Sequence, residues 1–297
     1  MSPTSESKNL GPPWLIVGCG YTGARLARRL VARGERVVVA RRHLDDARAI
    51  AGPLGDAARP IALDLGESAE VLAAAIDPGA IAVDSVPPRD DGGAGERRLI
   101  RACRVAGARR LVYLSSTGVY PPGGGAWVDE ESPVGPASAR GRRRLEAETA
   151  LLDEASALGV SAVSLRIAAI YGPGRGVHER LRAGSYRVIG DGGAQVSRVH
   201  VDDLVSAIIA AGDAARLVRT VYTVADEAPM PSRQFADAVA EILDVPPPPS
   251  VPPEEVDPSV RAMLASDRKV SSKRLREELG VVLRYPSGLD GVRASLG

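Results

Sequence analysis

Residues 14–42 read WLIVGCGYTGARLARRLVARGERVVVARR, and the fold follows from this stretch. Trp14–Val17 is a short apolar run of the kind that makes a strand buried on both faces. Gly18, Gly20 and Gly23 follow in G-x-G-x-x-G spacing, with Tyr21 and Thr22 between them. The next segment, 24–32, has helical periodicity, and RVVVA at 36–40 is a second apolar run. Strand, glycine turn, helix and strand within 30 residues predict a dinucleotide-binding unit. In such a unit Gly18 permits the tight turn, Gly20 lets a pyrophosphate approach the backbone, and Gly23 lets the helix pack closely on the strand. The helix N-terminus then offers free amides to the phosphates.

Working outward, further apolar runs lie at 60–63, 80–86, 110–116 and 161–167, with helical stretches at 69–76, 95–105 and 138–158 between them. This alternation predicts an α/β fold, a doubly wound parallel sheet of the Rossmann type. Beyond Ile167 the pattern loosens into a glycine-rich loop, a strand near Val199, a helix from Asp202 and a strand at 220–225. The expected division is a Rossmann domain over 14–170, completed by 197–224, and a smaller C-terminal substrate-binding domain over 171–196 and 225–297. The proline-rich stretch 245–258 reads as an extended linker, since each proline lacks a donor. SSKRLREELGV reads as a helix with serine at its start and Gly280 at its end.

The 297 residues are 44% hydrophobic and 25% charged, enough for one large core or two small ones. With 38 basic against 37 acidic residues the net charge is +1, which supplies no global attraction to nucleic acid or to a membrane surface. No window approaches a membrane span, and residues 1–13 lack the features of a signal peptide and read as a disordered tail. A soluble cytoplasmic protein is expected. Cys19 and Cys103 lack CxxC spacing, so they read as reduced thiols, and no metal-ligand pattern is present.

At the end of the second strand, where an acid would bind the ribose of NAD, stand Arg41 and Arg42. Guanidiniums there suit a 2′-phosphate, so NADP(H) is expected ahead of NAD(H), against the alternative of a solvated arginine pair. Asp64, at the end of the third strand, either binds the adenine amino group or caps the next turn. Six arginines (Arg89, Arg175, Arg180, Arg182, Arg187 and Arg198) fall on segments expected at a cleft mouth, which favours an anionic small-molecule substrate.

Three segments, YLSSTGVY (113–120), LRIAAIYGPG (165–174) and SRVHVDDL (197–204), resemble the extended short-chain dehydrogenase/reductases, the NAD-dependent epimerase/dehydratases. The resemblance runs from residue 14 through the closing YPSGLDGVRASL. It implies Ser116 as the hydroxyl that handles substrate oxygen. It places the nicotinamide between Val86 and Pro87, Ser115 and Ser116, and the loop from Ala168 to Tyr171. His200 is implied to be structural, with Asp203 supporting the helix start, and a homodimer is implied through the helices after the fourth and fifth strands. The family's Tyr-x-x-x-Lys pair is replaced by Arg140 and Arg144, counted back from Glu148. No tyrosine in the chain has lysine four residues later. The stretch PASARGRRRLEAE resembles an atypical subgroup in which a Ser-Gly-Arg signature stands in that place. Arg140 and Arg144 share a helix face and suit a substrate carboxylate or phosphate, or they ion-pair in solvent. His178 is the histidine nearest the expected cleft and so the candidate proton donor, or else a surface loop histidine. Three functions follow: an oxidoreductase for a small polar or anionic carbonyl, alcohol or sugar-like compound; a non-catalytic NADP(H) sensor or partner-binding protein; and a nucleotide-sugar epimerase/dehydratase.

Overall fold

The computed structural model describes residues 12–257, 261 and 266–296. The expected tail lies outside the described residues as far as residue 11, as does Pro258 at the end of the proline-rich stretch. The apolar runs form strands β1 (Trp14–Val17), β2 (Val37–Arg41), β3 (Ala58–Ala62), β4 (Ile81–Asp84) and β5 (Arg110–Ser116). With β7 (Ala162–Ile167) and β12 (Val221–Val224) they make a seven-stranded parallel sheet in the order β12-β7-β5-β4-β1-β2-β3. β1 lies inside the sheet, Trp14 opposite Val37 on one side and Ile81 on the other. This strand order reverses direction at β1, and ligands bind at such a switch point beyond the strand carboxyl ends.

Contacts group the chain into two compact units. The first comprises the residues up to Leu114 together with Ala147–Val163. Its helices are α1 (Tyr21–Ala32), α2 (Leu44–Ala51), α3 (Ala69–Ala73) and α4 (Ala94–Ala106). Their apolar faces and the strands bury Leu15, Val38, Leu99, Ile100, Leu111, Tyr113 and Leu151 in one core. The helices begin and end where local chemistry directs: α4 stops at Gly107, whose left-handed φ of 67° no β-branched residue would hold. α1 begins at Tyr21, three residues before the periodicity suggested, because the glycine turn itself leads into the helix.

The second unit is Ser115–Glu146 with Ser164–Gly297. α5 (Ala139–Leu158) begins in this unit, which also holds α6 (Val177–Arg182), α7 (Val201–Asp213) and α8 (Ser232–Leu243). Its own core joins Tyr171, Leu181, Phe235, Val239, Ala240 and Val292. Short strands brace it: β6 (Ala126–Val128) and β15 (Arg268–Val270) pair in parallel, as do β8 (Ala169–Tyr171) and β11 (Arg198–His200). Within the proline-rich stretch, two residues, β14 (Ser250–Val251), pair with β9 (Val188–Ile189). That is as much ladder as the flanking prolines allow. The Lys273–Leu279 helix ends at left-handed Gly280, but Ser272 supplies no cap and donates its hydroxyl to the Ala225 carbonyl instead. Among the described residues, no helix is long and apolar enough to cross a membrane.

Candidate functional site

In the first unit the chain leaves β1 through Gly18, whose φ is +73° and whose amide donates to the Ala40 carbonyl of β2. A Cβ on Gly18 would lie 2.8 Å from Val86 Cγ2 and 3.0 Å from the Val86 amide nitrogen. Val86 therefore packs against the turn. Its amide in turn donates to the buried Asp84 carboxylate (2.9 Å), which fixes the exit from β4. Gly23 sits on β1, where a Cβ would come to 3.0 Å from both Cys19 Sγ and Ile16 Cγ2. Gly20 is the N-cap of α1 and, having no side chain, makes no side-chain cap bond, and the first turn carries no acid. The first turn, Tyr21, Thr22 and Gly23, carries the partial positive charge of the helix N-terminus, a chemistry suited to an anion. Every part of this cradle fits a dinucleotide: close-packed glycines and an uncapped, acid-free helix start.

Arg41 lies over the turn, donating Nη1 to the Cys19 carbonyl (3.3 Å), 3.7 Å from where a Gly20 Cβ would be. Burial pushes the Cys19 thiol up to about 12 despite that guanidinium, so it is inert as a nucleophile. Arg42 is exposed and reaches toward Asp64, Nε to Oδ2 3.8 Å. The Asp64 Oδ1 accepts the Gly66 amide (2.6 Å) and also the guanidinium of Arg89. The Gly66 amide, then Arg89, hold this carboxyl below the usual carboxylate range. Asp64 thus makes the turn-capping bond that was one of its two readings. Arg89 is its ion-pair partner, a role the sequence did not suggest. Val86 is half-buried and Pro87 exposed.

In the second unit Ser115 is buried, and its hydroxyl finds no hydrogen-bond partner among the described residues. The Ser116 hydroxyl accepts the Gly118 amide (3.1 Å), capping the turn Thr117–Val119. α5 starts against that turn through Gly141, whose Cβ would collide with the Gly118 carbonyl and stand 2.8 Å from Pro136 Cβ. Arg140, just before it, is exposed, and Arg144 half-buried. Ala168 is buried between β7 and β8 and donates its amide to Val224 O. His178 is the second residue of α6 rather than a loop residue, and its ring is fully buried, Nε2 3.4 Å from Glu179 Oε1. Burial lowers its pKa against the pull of Glu179. His200 caps α7 with Nδ1 on the Asp202 amide (3.2 Å) and lies against Tyr285. Asp203 does not cap that helix; it accepts the amides of Arg284 and Tyr285 (2.7 and 3.0 Å) and anchors the C-terminal segment.

Arg198, expected at a cleft mouth, is buried, its guanidinium 3.6 Å over the Phe235 ring and its Nη1 donating to Val196 O. Burial lowers its pKa to about 10. Buried Asp226 is driven up to about 7 by desolvation, against the Arg198 charge and the amides of Ala228 and Arg198. No sequence signal marks this pair.

Residues 14–225 match the NAD dependent epimerase/dehydratase family. A 3-diazoavenalumate denitrifying reductase from a Streptomyces species is 31% identical over 216 residues, which cover 67% of this chain and 68% of that protein. Protein YeeZ of Escherichia coli strain K12 is 28% identical over 285 residues, covering 92% of this chain and 96% of its own length. A solved structure of a functionally unknown conserved protein from Silicibacter pomeroyi DSS superimposes with a TM-score of 0.79. It shares 34% identity and covers 95% of this chain and 97% of that one.

Proposed function

We propose a function from one premise: the chain belongs to the NAD dependent epimerase/dehydratase family. On this reading it is an NADP(H)-dependent oxidoreductase of the extended short-chain type. Its substrate is a small polar or anionic carbonyl, alcohol or sugar-like compound. The observation that carries the reading is Arg41 lying over the Gly18–Gly23 turn where an NAD-selective protein would place an acid. Gly18, Gly20 and the amides of Tyr21, Thr22 and Gly23 would hold the pyrophosphate, and Arg41 and Arg42 the 2′-phosphate. A nicotinamide dinucleotide bound there supplies or accepts a hydride.

The Ser116 hydroxyl accepts the Gly118 amide, which leaves its proton available to a substrate oxygen. A guanidinium binds anions and does not shuttle protons, so the part of Arg140 and Arg144 is to bind a substrate carboxylate or phosphate. We place no proton transfer on His178, because a buried ring with a lowered pKa is neutral and shielded from solvent. A homodimer through α4 and the following helix goes with this reading, to be read by light scattering.

A second reading, a sensor that binds the dinucleotide without turning it over, is favoured by one feature: no tyrosine has lysine four residues later. Parallel titration with NADPH and NADH at one salt concentration, then a carbonyl and sugar-nucleotide panel, separates the two. The oxidoreductase reading expects tighter NADPH binding and at least one compound whose turnover falls in Ser116→Ala while NADPH binding persists. Tight NADPH binding with no turnover across the panel selects the sensor, and failure to bind either dinucleotide overturns both.

A further inference from the structure

We propose that Arg89 sets the preference for a 2′-phosphorylated dinucleotide by neutralising Asp64, a carboxylate that otherwise stands against that phosphate. The inference rests on the NADP(H) reading above and deepens it.

Three guanidiniums and two carboxylates meet at the carboxyl ends of β2 and β3, and Arg41 holds the second carboxylate, Asp46 of α2, through Nη2 at 3.4 Å. Arg41 and Arg42 come from the end of β2, Asp64 from the segment after β3, and Arg89 from the loop after β4. Asp64 is pinned from below by the Gly66 amide at 2.6 Å, so it cannot swing away from the arginines. Its Oδ1 takes the Arg89 guanidinium and its Oδ2 faces Arg42 Nε at 3.8 Å. Arg89 also closes over Gly66, whose Cβ would stand 3.0 Å from Arg89 Nη1. The shorter contact goes to Arg89, the longer to Arg42. Arg42 accordingly remains 72% exposed, against 40% for Arg89.

The consequence is electrostatic. A phosphate taken up by Arg42 shares that guanidinium with Asp64, and the two anions repel. With Arg89 in place the carboxylate is already paired, and Arg42 can turn its charge to the ligand. Without Arg89, Asp64 claims Arg42 and presents an uncompensated negative charge beside the site. A dinucleotide lacking the 2′-phosphate carries no charge there and feels little of this. Arg89 therefore acts on the ratio of the two affinities, through Asp64.

The test is a fluorescence titration of the full chain and of Arg89→Gln, Asp64→Asn and the double variant with NADPH and with NADH. Arg89→Gln is expected to weaken NADPH by about tenfold, the order of one uncompensated charge near a surface, and NADH by far less. Asp64→Asn alone is expected to tighten NADPH relative to NADH. In the Arg89→Gln background it should restore the ratio, a rescue that a merely structural role for Arg89 would not give. A wild-type protein that prefers NADPH, with the same ratio in Arg89→Gln or no rescue in the double variant, overturns this inference alone. A wild-type protein without NADPH preference overturns the cofactor reading beneath it. Should Arg89→Gln fail to fold, the ratio in Asp64→Asn decides: unchanged or lowered, it refutes the proposal.

Discussion

Gly18 and Gly20 stand two residues apart in one turn, yet the geometry predicts opposite failures when each is replaced by alanine. At Gly18 the new methyl would be 2.8 Å from Val86 Cγ2, 3.0 Å from the Val86 nitrogen and 3.1 Å from the Ser85 carbonyl carbon. Two of these are backbone atoms held by the Asp84 turn, so the neighbour cannot simply rotate aside. Overpacking of this kind costs about 1–3 kcal/mol, and holding a non-glycine residue at a φ of +73° adds about 1–2 kcal/mol. The stiffer unfolded chain returns about 0.4–1 kcal/mol, leaving a net loss of about 1–5 kcal/mol from a total of about 5–15. At Gly20 the nearest atoms, Arg41 Nη1 and the Gly18 carbonyl oxygen, are 3.7 Å away, an ordinary contact. Gly20→Ala should therefore stay within about 1 kcal/mol of wild type. Its methyl instead crowds the uncapped start of α1, where NADPH affinity should fall by about tenfold or more, some 1.4 kcal/mol. Urea unfolding followed by the fluorescence of Trp14, fully buried in β1, reads the first effect, and NADPH titration the second. A Gly18→Ala protein with an unshifted midpoint, or a Gly20→Ala protein that binds NADPH normally, would refute this account of the cradle.

Two more expectations follow from buried titratable groups. Asp226 has its pKa raised to about 7 from an ordinary 3.8, so its contribution to stability is full below about pH 4 and is lost as pH rises through about 7. The shift of about 3 units, at about 1.4 kcal/mol each, sets an upper bound near 4 kcal/mol. Relative to Asp226→Asn, the wild-type urea midpoint should drop across that window, and parallel pH profiles would show that the carboxylate is not desolvated. Cys19 and Cys103 are both buried with thiols pushed up to about 12, so a thiol reagent should label neither in the native protein and both in denaturant. Rapid native labelling would contradict the packing at the glycine turn.

The strands of the large sheet were legible because each is a local fact. An apolar run such as Leu111–Leu114 or Val37–Val39 announces a buried strand by itself, and a glycine in G-x-G-x-x-G spacing announces the turn that only glycine can make. Arg41 is placed for the same reason, since it ends the strand that follows the motif's helix. The differences are of boundary, as at the start of α1, of element, as where His178 falls in α6 and not in a loop, or of partner, as where Ser272 turns from its own helix to the Ala225 carbonyl. Partners are what the chain cannot display. Arg89 and Arg198 look alike in a sequence rich in arginine. Packing leaves one on the rim, paired with a carboxylate 25 residues away, and drives the other inside against Phe235 and Asp226. His178 has the composition of a loop histidine and the environment of a core residue. Periodicity and backbone geometry are short-range and survive in the sequence. The charge, exposure and neighbour of a side chain are set by segments that meet only when the chain folds, and the tertiary structure alone decided them.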